Sequence, residues 1–460
     1  MSELSQKLKS RHITMMAIGG SVGTGIFLAS GYAIYVGGPG SALLAYLLMA
    51  IIVYFLMTSL GEMSAYQPTA GTFCDYSTVY VGKSFGFAMG YNYWLNWAIT
   101  IAAEIAAAAL IASYWFPEVN TLIFSAVFFV TIFLCNIYSV RVYGEAEYYL
   151  SFIKVSAILA FIVLGLSAVI HKPQFGIPLW HIGDAPFHAG WMGFIVVFLF
   201  AGFSFQGTEL VGVASAETKN PADVIPKSIN LVFWRLTLFY VATIGLITLL
   251  IPYNDPRLAV SDNVNMSPFT LIFDQYWHNY GANIINFIAL VAVLSAANAS
   301  MYASTRILWY LGKSHQAPKV FSRVTRHGIP LLALLVTALI GSLVFFSSLV
   351  GHGTMFNYLL QISSLSGFIA WFGIALSHYQ FRKKILTRDG NLNVLKYQAK
   401  FYPYAQIFAM VVLVLVIVLQ CLPIITSQHY QWFDLVITYS SVIVFLLIYC
   451  GHKLYSVSKS

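Results

Sequence analysis

The sequence predicts an all-α polytopic membrane protein of twelve transmembrane helices, and three observations carry that reading. Hydrophobic residues make up 59% of the 460 residues and charged residues only 9%, where soluble chains carry about 25% charged residues. The apolar residues collect into runs of the roughly 20 residues that a membrane helix needs. Lysine and arginine fall in alternate intervals between those runs, as the positive-inside rule requires. A water-facing surface cannot be assembled from so few charges, which excludes a cytosolic enzyme, a nucleic-acid binder and a disordered chain. A β-barrel would alternate apolar and polar residues over about ten positions, and these runs do not.

In chain order the runs fall at 13–35, 41–62, 85–115, 120–138, 148–170 and 191–215, then 230–251, 281–311, 330–350, 353–378, 404–425 and 431–452. They are numbered helices 1 to 12. With both termini inside, all 24 lysines and arginines except Lys154, Lys172 and Arg257 fall on the inner side. Residues 1–12 form a polar cytoplasmic N-terminus without the apolar core of a signal peptide, and 453–460 a cytoplasmic tail. The longest polar intervals, 171–190, 252–280 and 379–403, are too short for an independent core. The whole chain, 1–460, therefore reads as one transmembrane domain. The interval 252–280, with Asp255, Asp262, Asp274 and Trp277, is expected to form a short surface helix or lid. Cys74, Cys135, Cys421 and Cys450 lie far apart, without metal-ligand spacing, and read as free thiols.

Two runs are interrupted. Helix 1 carries Gly19-Gly20-Ser21-Val22-Gly23-Thr24-Gly25, and helix 6 carries Gly202-Phe203-Ser204-Phe205-Gln206-Gly207-Thr208-Glu209. Glycine costs about 1 kcal/mol against alanine inside a helix, so each cluster weakens the ladder. Backbone opened at membrane depth survives only where protein or a cavity satisfies it. The breaks lie five helices apart in antiparallel spans, the placement expected of a 5+5 inverted repeat with substrate held between discontinuous helices. Repeat one is then 13–170, repeat two 191–378, and helices 11 and 12 at 404–452 are additional. Close helix packing through small residues is the other reading of such glycines. At helix 1 the amides of Gly23, Thr24, Gly25 and Ile26 begin a half-helix whose positive end suits an anion. Carbonyls near Ser21 and over Phe203–Gln206 offer acceptors for an ammonium group. Together they make a zwitterion site, and an α-amino acid fits it.

Ionisable residues inside a span are rare and costly, and Glu104, Lys154 and Glu209 stand out. Steps of 4, 3 and 4 put Tyr93, Trp97, Thr100 and Glu104 on one face of helix 3. A cationic side chain could lie against Trp97 by cation–π attraction and end at Glu104, or Glu104 could be a protonated acid bonded to a neighbouring helix. Glu209 follows the second break, where it either faces substrate or holds the break open. Lys154 either snorkels to the cytoplasmic face or stays buried and exchanges a proton. Helix 8 adds Ser295 and Asn298 as candidate lining residues. The histidines fall mostly in loops or near span ends, His352 and His378 among the latter, and no nucleotide-binding or nucleophile motif stands in its required context.

Several stretches carry a family resemblance: RHITMMAIGGSVGTGIF, GGPGSALLAYLLMAIIVYFLMTSLGEMSAY, GFAMGYNYWLNWAIT, VRVYGEAEYYLSFIKV, GFSFQGTELVGVASAETKNP, LSAANASMYASTRILWYL and SGFIAWFGIALSHYQFRKK. In order and over essentially the whole chain, they resemble the amino acid–polyamine–organocation transporters, in their bacterial amino acid permease branch and closest to its lysine-transporting members. The resemblance implies a leucine-transporter-like fold of ten core helices plus two, alternating access, and proton-driven uptake with no other cofactor. It implies L-lysine as substrate, an inner-membrane location, and any regulatory membrane partner left unnamed. By motif, Thr24 and Gly25 would hold the carboxylate, carbonyls of Ser21, Phe203 and Gln206 the α-amine, and Phe203 the gate. Val22, Gly23, Gly207 and Glu209 complete the implied site, and Lys154 with Glu209 the proton coupling. Arginine, ornithine, histidine, γ-aminobutyrate or an aromatic amino acid remain alternative substrates. Exchange without net proton flux and a non-transporting sensor remain alternative functions.

Overall fold

A computed structural model describes residues 22–69, 71–138, 140–210, 236–259, 267–326, 328–426 and 431–458. Among these the structure is helical throughout, with no strand. Each apolar run contains a helix, labelled here in the same order: α1 (25–37), α2 (39–66), α3 (Lys83–Ala112), α4 (Thr121–Tyr138), α5 (Val140–His171), α6 (Gly190–Phe205), α7 (236–250), α8 (Pro268–Lys313), α9 (Leu331–Val350), α10 (His352–Asp389), α11 (Tyr404–Ile425) and α12 (Trp432–Val457). Among the described residues eight helices are long and apolar enough to cross a membrane, the first of them, Gly25–Tyr66, comprising α1 and α2; three shorter apolar helices join them. The predicted N-terminal segment, the first half of helix 1 with Ser21, and residues 211–235 lie outside the described residues.

Local sequence explains the boundaries. Gly38 has φ +77° and ψ 172°, a backbone region that side chains other than glycine rarely enter. Pro39 follows, which disfavours helical backbone at the preceding residue and starts α2 well. Asn120 Oδ1 accepts the Leu122 amide at 2.9 Å, capping the first turn of α4. Gly390, at φ +67°, closes α10 by donating its amide to the Leu386 carbonyl. Within the interval 252–280 the described residues hold a single-turn helix, Pro256–Leu258, and Pro268 then starts a helix that runs unbroken to Lys313.

Burial ranks the helices. The most apolar stretch of α3 is 89% buried, whereas those of α11 and α12 are 22% and 11% buried. So α3 is the central post, packed by α8 and α10, and the last two helices are peripheral. Their outward residues include Leu447 and Leu454, 68% and 73% exposed, an apolar exterior suited to lipid rather than water.

Charges that the sequence places at span ends are in fact interior. Arg382 of α10, grouped above with the inner loop cations, is buried against Glu62 of α2. Its Nε and Nη2 donate to the two Glu62 oxygens, the latter at 2.6 Å. His378 Nε2 lies 3.2 Å from Glu62 Oε2, and the Ala399 amide donates to the same oxygen. A bidentate guanidinium with further donors is the geometry that makes a buried charge pair tolerable.

Candidate functional site

The two breaks are built differently. At the first, Gly23 O accepts the amides of Ile26 and Phe27 at 3.3 and 3.2 Å, and residues 25–29 wind more widely than an α-helix before regular geometry resumes. Loosened winding of this kind inside a helix recurs at functional sites. The glycines also meet neighbours closely. A Cβ on Gly25 would lie 2.3 Å from Ser204 Cα in α6, and one on Gly23 would lie 2.7 Å from Ala296 Cβ in α8. Packing thus explains part of the glycine cluster. Val22 and Thr24 are fully buried.

Into this break comes an acid from the central post. Thr24 Oγ1 donates to Glu104 Oε2 at 2.6 Å, and the Thr24 amide lies 3.4 Å from the same oxygen. The Glu104 carboxyl therefore occupies the Thr24 donors, part of the set that the sequence offers to a substrate carboxylate. Of the two sequence readings of Glu104, the bond to a neighbouring helix is present; at the same time the residue sits against the break.

The second break is closed from within. α6 ends at Phe205, Gln206 turns to ψ 147°, and Gly207 takes φ +90°. The Gly207 amide donates to Glu209 Oε1 and Oε2 at 3.3 and 3.2 Å. Tyr93 of α3 and Trp371 of α10 donate to the same carboxyl at 3.4 and 3.3 Å. Glu209 thus holds the break and ties it to two helices. The Phe203 carbonyl, expected free, accepts the Gln206 amide at 3.2 Å; its ring is 5% exposed.

Around Gln206 lies a polar network that the sequence reading missed. Asn96 Nδ2 donates to Gln206 Oε1 at 3.2 Å, and Gln206 Nε2 donates to the Ser363 carbonyl at 2.9 Å. Ser363 Oγ lies 2.8 Å from Thr100 Oγ1 and 3.0 Å from Asn96 Oδ1. The signal was available: Asn96 and Thr100 are polar residues one turn apart in an apolar span.

The predicted stripe on α3 is buried along its length and reaches both breaks, Glu104 at the first and Tyr93 at the second. Between them Trp97 packs edge-on to Tyr93, centroids 6.0 Å apart, and its buried indole Nε1 has no hydrogen-bond partner among the described residues. The helix 8 picks divide. Ser295 Oγ donates to Glu147 Oε2 at 2.7 Å. Asn298 Oδ1 accepts from Asn136 of α4 at 2.8 Å, so it serves a helix–helix contact.

Lys154 does not snorkel. Its side chain and that of Glu147 are both 0% exposed, with Nζ 3.6 Å from Oε1. Glu147, just outside the apolar run 148–170, is a buried acid that the sequence reading overlooked.

The amino acid permease family profile matches residues 12–459. The chain is therefore a multi-pass membrane transporter and not an enzyme. It belongs to the amino acid permease family. It is similar to the lysine-specific permease LysP of Escherichia coli, 45% identical over 98% of this chain and 94% of that protein. The lysine-specific permease LysP of Lactococcus lactis is 42% identical, covering 100% and 91%. The histidine permease HisP of the same organism is also 42% identical, covering 98% and 95%.

Proposed function

We propose that this permease takes up L-lysine with protons by alternating access across a bacterial inner membrane, both termini cytoplasmic. The observation that carries the reading is the single face of α3 that joins the breaks, with Glu104 on Thr24, Tyr93 on Glu209 and Trp97 between them. A 5+5 inverted repeat over 13–170 and 191–378, leucine-transporter-like, with helices 11 and 12 added at 404–452, accounts for the two breaks and for the peripheral place of α11 and α12. The whole chain acts as one transporter domain.

The substrate lies between the breaks, against Ser21, Val22, Gly23, Thr24 and Gly25 on one side and Phe203, Gln206, Gly207 and Glu209 on the other. Tyr93, Trp97, Glu104 and Ser295 complete the wall, with Asn298 behind it. Its α-carboxylate competes with Glu104 for the Thr24 donors. Two lysine-specific relatives at 45% and 42% identity support lysine, as does an acid beside an aromatic face, a pairing that suits an ammonium group. Histidine is the second reading, supported by the histidine permease at 42%. Buried Lys154 carries the transported proton, with Glu209 as a second proton-sensitive group.

Uptake of radiolabelled lysine into proteoliposomes tests this, with and without an inward proton gradient and with unlabelled amino acids as competitors. Gradient-driven accumulation blocked by lysine and not by neutral amino acids is the expected result. Accumulation of histidine without lysine would move the assignment to the second reading. Binding without any flux would make the protein a sensor.

A further inference from the structure

We infer that Glu147 is the positioning residue that sets the proton affinity of Lys154, an inference that rests on the proton-coupling reading above. The two residues are seven positions apart on α5, two turns and about 10.5 Å by helical rise. Long helical side chains lean towards the helix N-terminus, so the Lys154 stem runs back towards Glu147 and brings Nζ to 3.6 Å from Oε1. Neither side chain reaches solvent. An outward apolar face shields the pair: Phe152 and Val163 on the same helix are 56% and 66% exposed.

Glu147 is itself fixed. Ser295 Oγ of α8 donates to Oε2 at 2.7 Å, and Ser151 Oγ donates to Oε1 at 3.3 Å. A carboxyl held from two sides keeps its distance to Nζ, and that distance governs how strongly a carboxylate favours the charged amine. When the proton is on Nζ the two charges cancel inside the protein; when it leaves, a neutral amine faces the carboxylate.

A second buried acid, Glu104 of α3, is tied to Thr24 at the first break, and its negative charge also favours the charged amine of Lys154. The two acids therefore have different tethers. Glu104 is held by the break that a substrate must enter. Glu147 is held by hydroxyls of α5 and α8, and its α8 donor, Ser295, adjoins Ala296, which abuts Gly23. Glu104 bonds to the break directly, and Glu147 reaches it only through Ser295 and Ala296, so Glu147 sets a baseline that substrate at the break perturbs less than it perturbs Glu104.

The test measures initial uptake of labelled L-lysine against external pH in proteoliposomes of the full chain, for wild type, Glu147→Gln, Glu147→Asp and Lys154→Gln. Losing the carboxylate charge should move the midpoint of the pH profile to lower pH by about 1–3 units, and Glu147→Asp should move it less, in the same direction. Lys154→Gln should lose gradient-driven accumulation. A wild-type midpoint in Glu147→Gln, with Lys154→Gln inactive in accumulation, overturns this role and leaves the coupling reading standing. Normal accumulation by Lys154→Gln removes the coupling reading, and this inference with it. Where Glu147→Gln does not reach the membrane, a wild-type midpoint in Glu147→Asp overturns the inference alone.

Discussion

The two interrupted helices hold their loose backbone in opposite ways. At the second break the acid comes from the break itself: Glu209 accepts the Gly207 amide two residues back and adds bonds from Tyr93 and Trp371. At the first break the acid comes from elsewhere, as Glu104 of α3 reaches Thr24 across 80 positions of sequence. A clamp made of its own residues moves with its helix. A clamp made by another helix must let go before the two can part; at the second break Tyr93 and Trp371 must release as well, but the Gly207 amide keeps its acceptor within the break.

The largest effect that would break this comparison comes from Gly25→Val. Its Cβ would press on Ser204 backbone at 2.3 Å, which no rotamer relieves, and overpacking costs about 1–3 kcal/mol or more. Substrate binding should be lost, and thermal unfolding in detergent should report the destabilisation; intact binding would refute the close junction of α1 and α6. The acids come next. Glu209→Ala strips acceptors from an amide, a hydroxyl and an indole, and leaving a buried donor unsatisfied costs about 1–3 kcal/mol each. Among the described residues Glu104→Ala frees the Thr24 donors. Glu209→Ala should therefore lower the melting temperature more, while Glu104→Ala should alter the lysine KM more. The reverse order would remove the distinction between the breaks.

Ser363→Ala should be milder, removing one hydroxyl from the Gln206 network at about 0.5–1.5 kcal/mol; no change in melting temperature would show that network to be slack. The smallest effect lies in the loops. Asp184, between α5 and α6, is held down to about 2 by a hydrogen bond from Tyr253 and then by His188. Its folded value lies below the unfolded one near 3.9, so its stabilisation is present above about pH 4 and fades as pH falls towards 2. The melting-temperature gap between wild type and Asp184→Asn should be small at pH 5 and shrink further on acidification, and a gap that widens would contradict the sign.

Much of this was legible in the residues. Apolar runs located the helices, glycine clusters located the loosened winding at 25–29 and the end of α6, and helical spacing put Tyr93, Trp97, Thr100 and Glu104 on one face. What escaped was partnership. Glu62 and Arg382 stand 320 positions apart, and each alone reads as a charge at a span end. Glu147 escaped for the same reason, since hydropathy treats an acid at the edge of a run as wet. Periodicity gives the face of a residue but not the neighbour it meets, which is why Ser295 and Asn298 were paired in sequence and divide in space, one to Glu147 and the other to α4. Masking of one role by another also mattered: the glycines of the first break serve both loosened winding and tight contact with Ser204 and Ala296.

The turn at Gly38 bears on the proposed alternating access. Its backbone sits where a Cβ would meet the Pro186 carbonyl at 2.8 Å, and that carbonyl also accepts the Gly40 amide at 2.8 Å. One residue earlier, a Cβ on Gly37 would strike Val197 of α6 at 2.3 Å. The hairpin of α1 and α2 is thus riveted at its tip to the start of α6, and forms one rigid arm with it. An arm fixed at its tip has its fulcrum at the other end. Residues 23–25 lie at that end, beside the acid that latches them and with Gly25 set against Ser204 of α6.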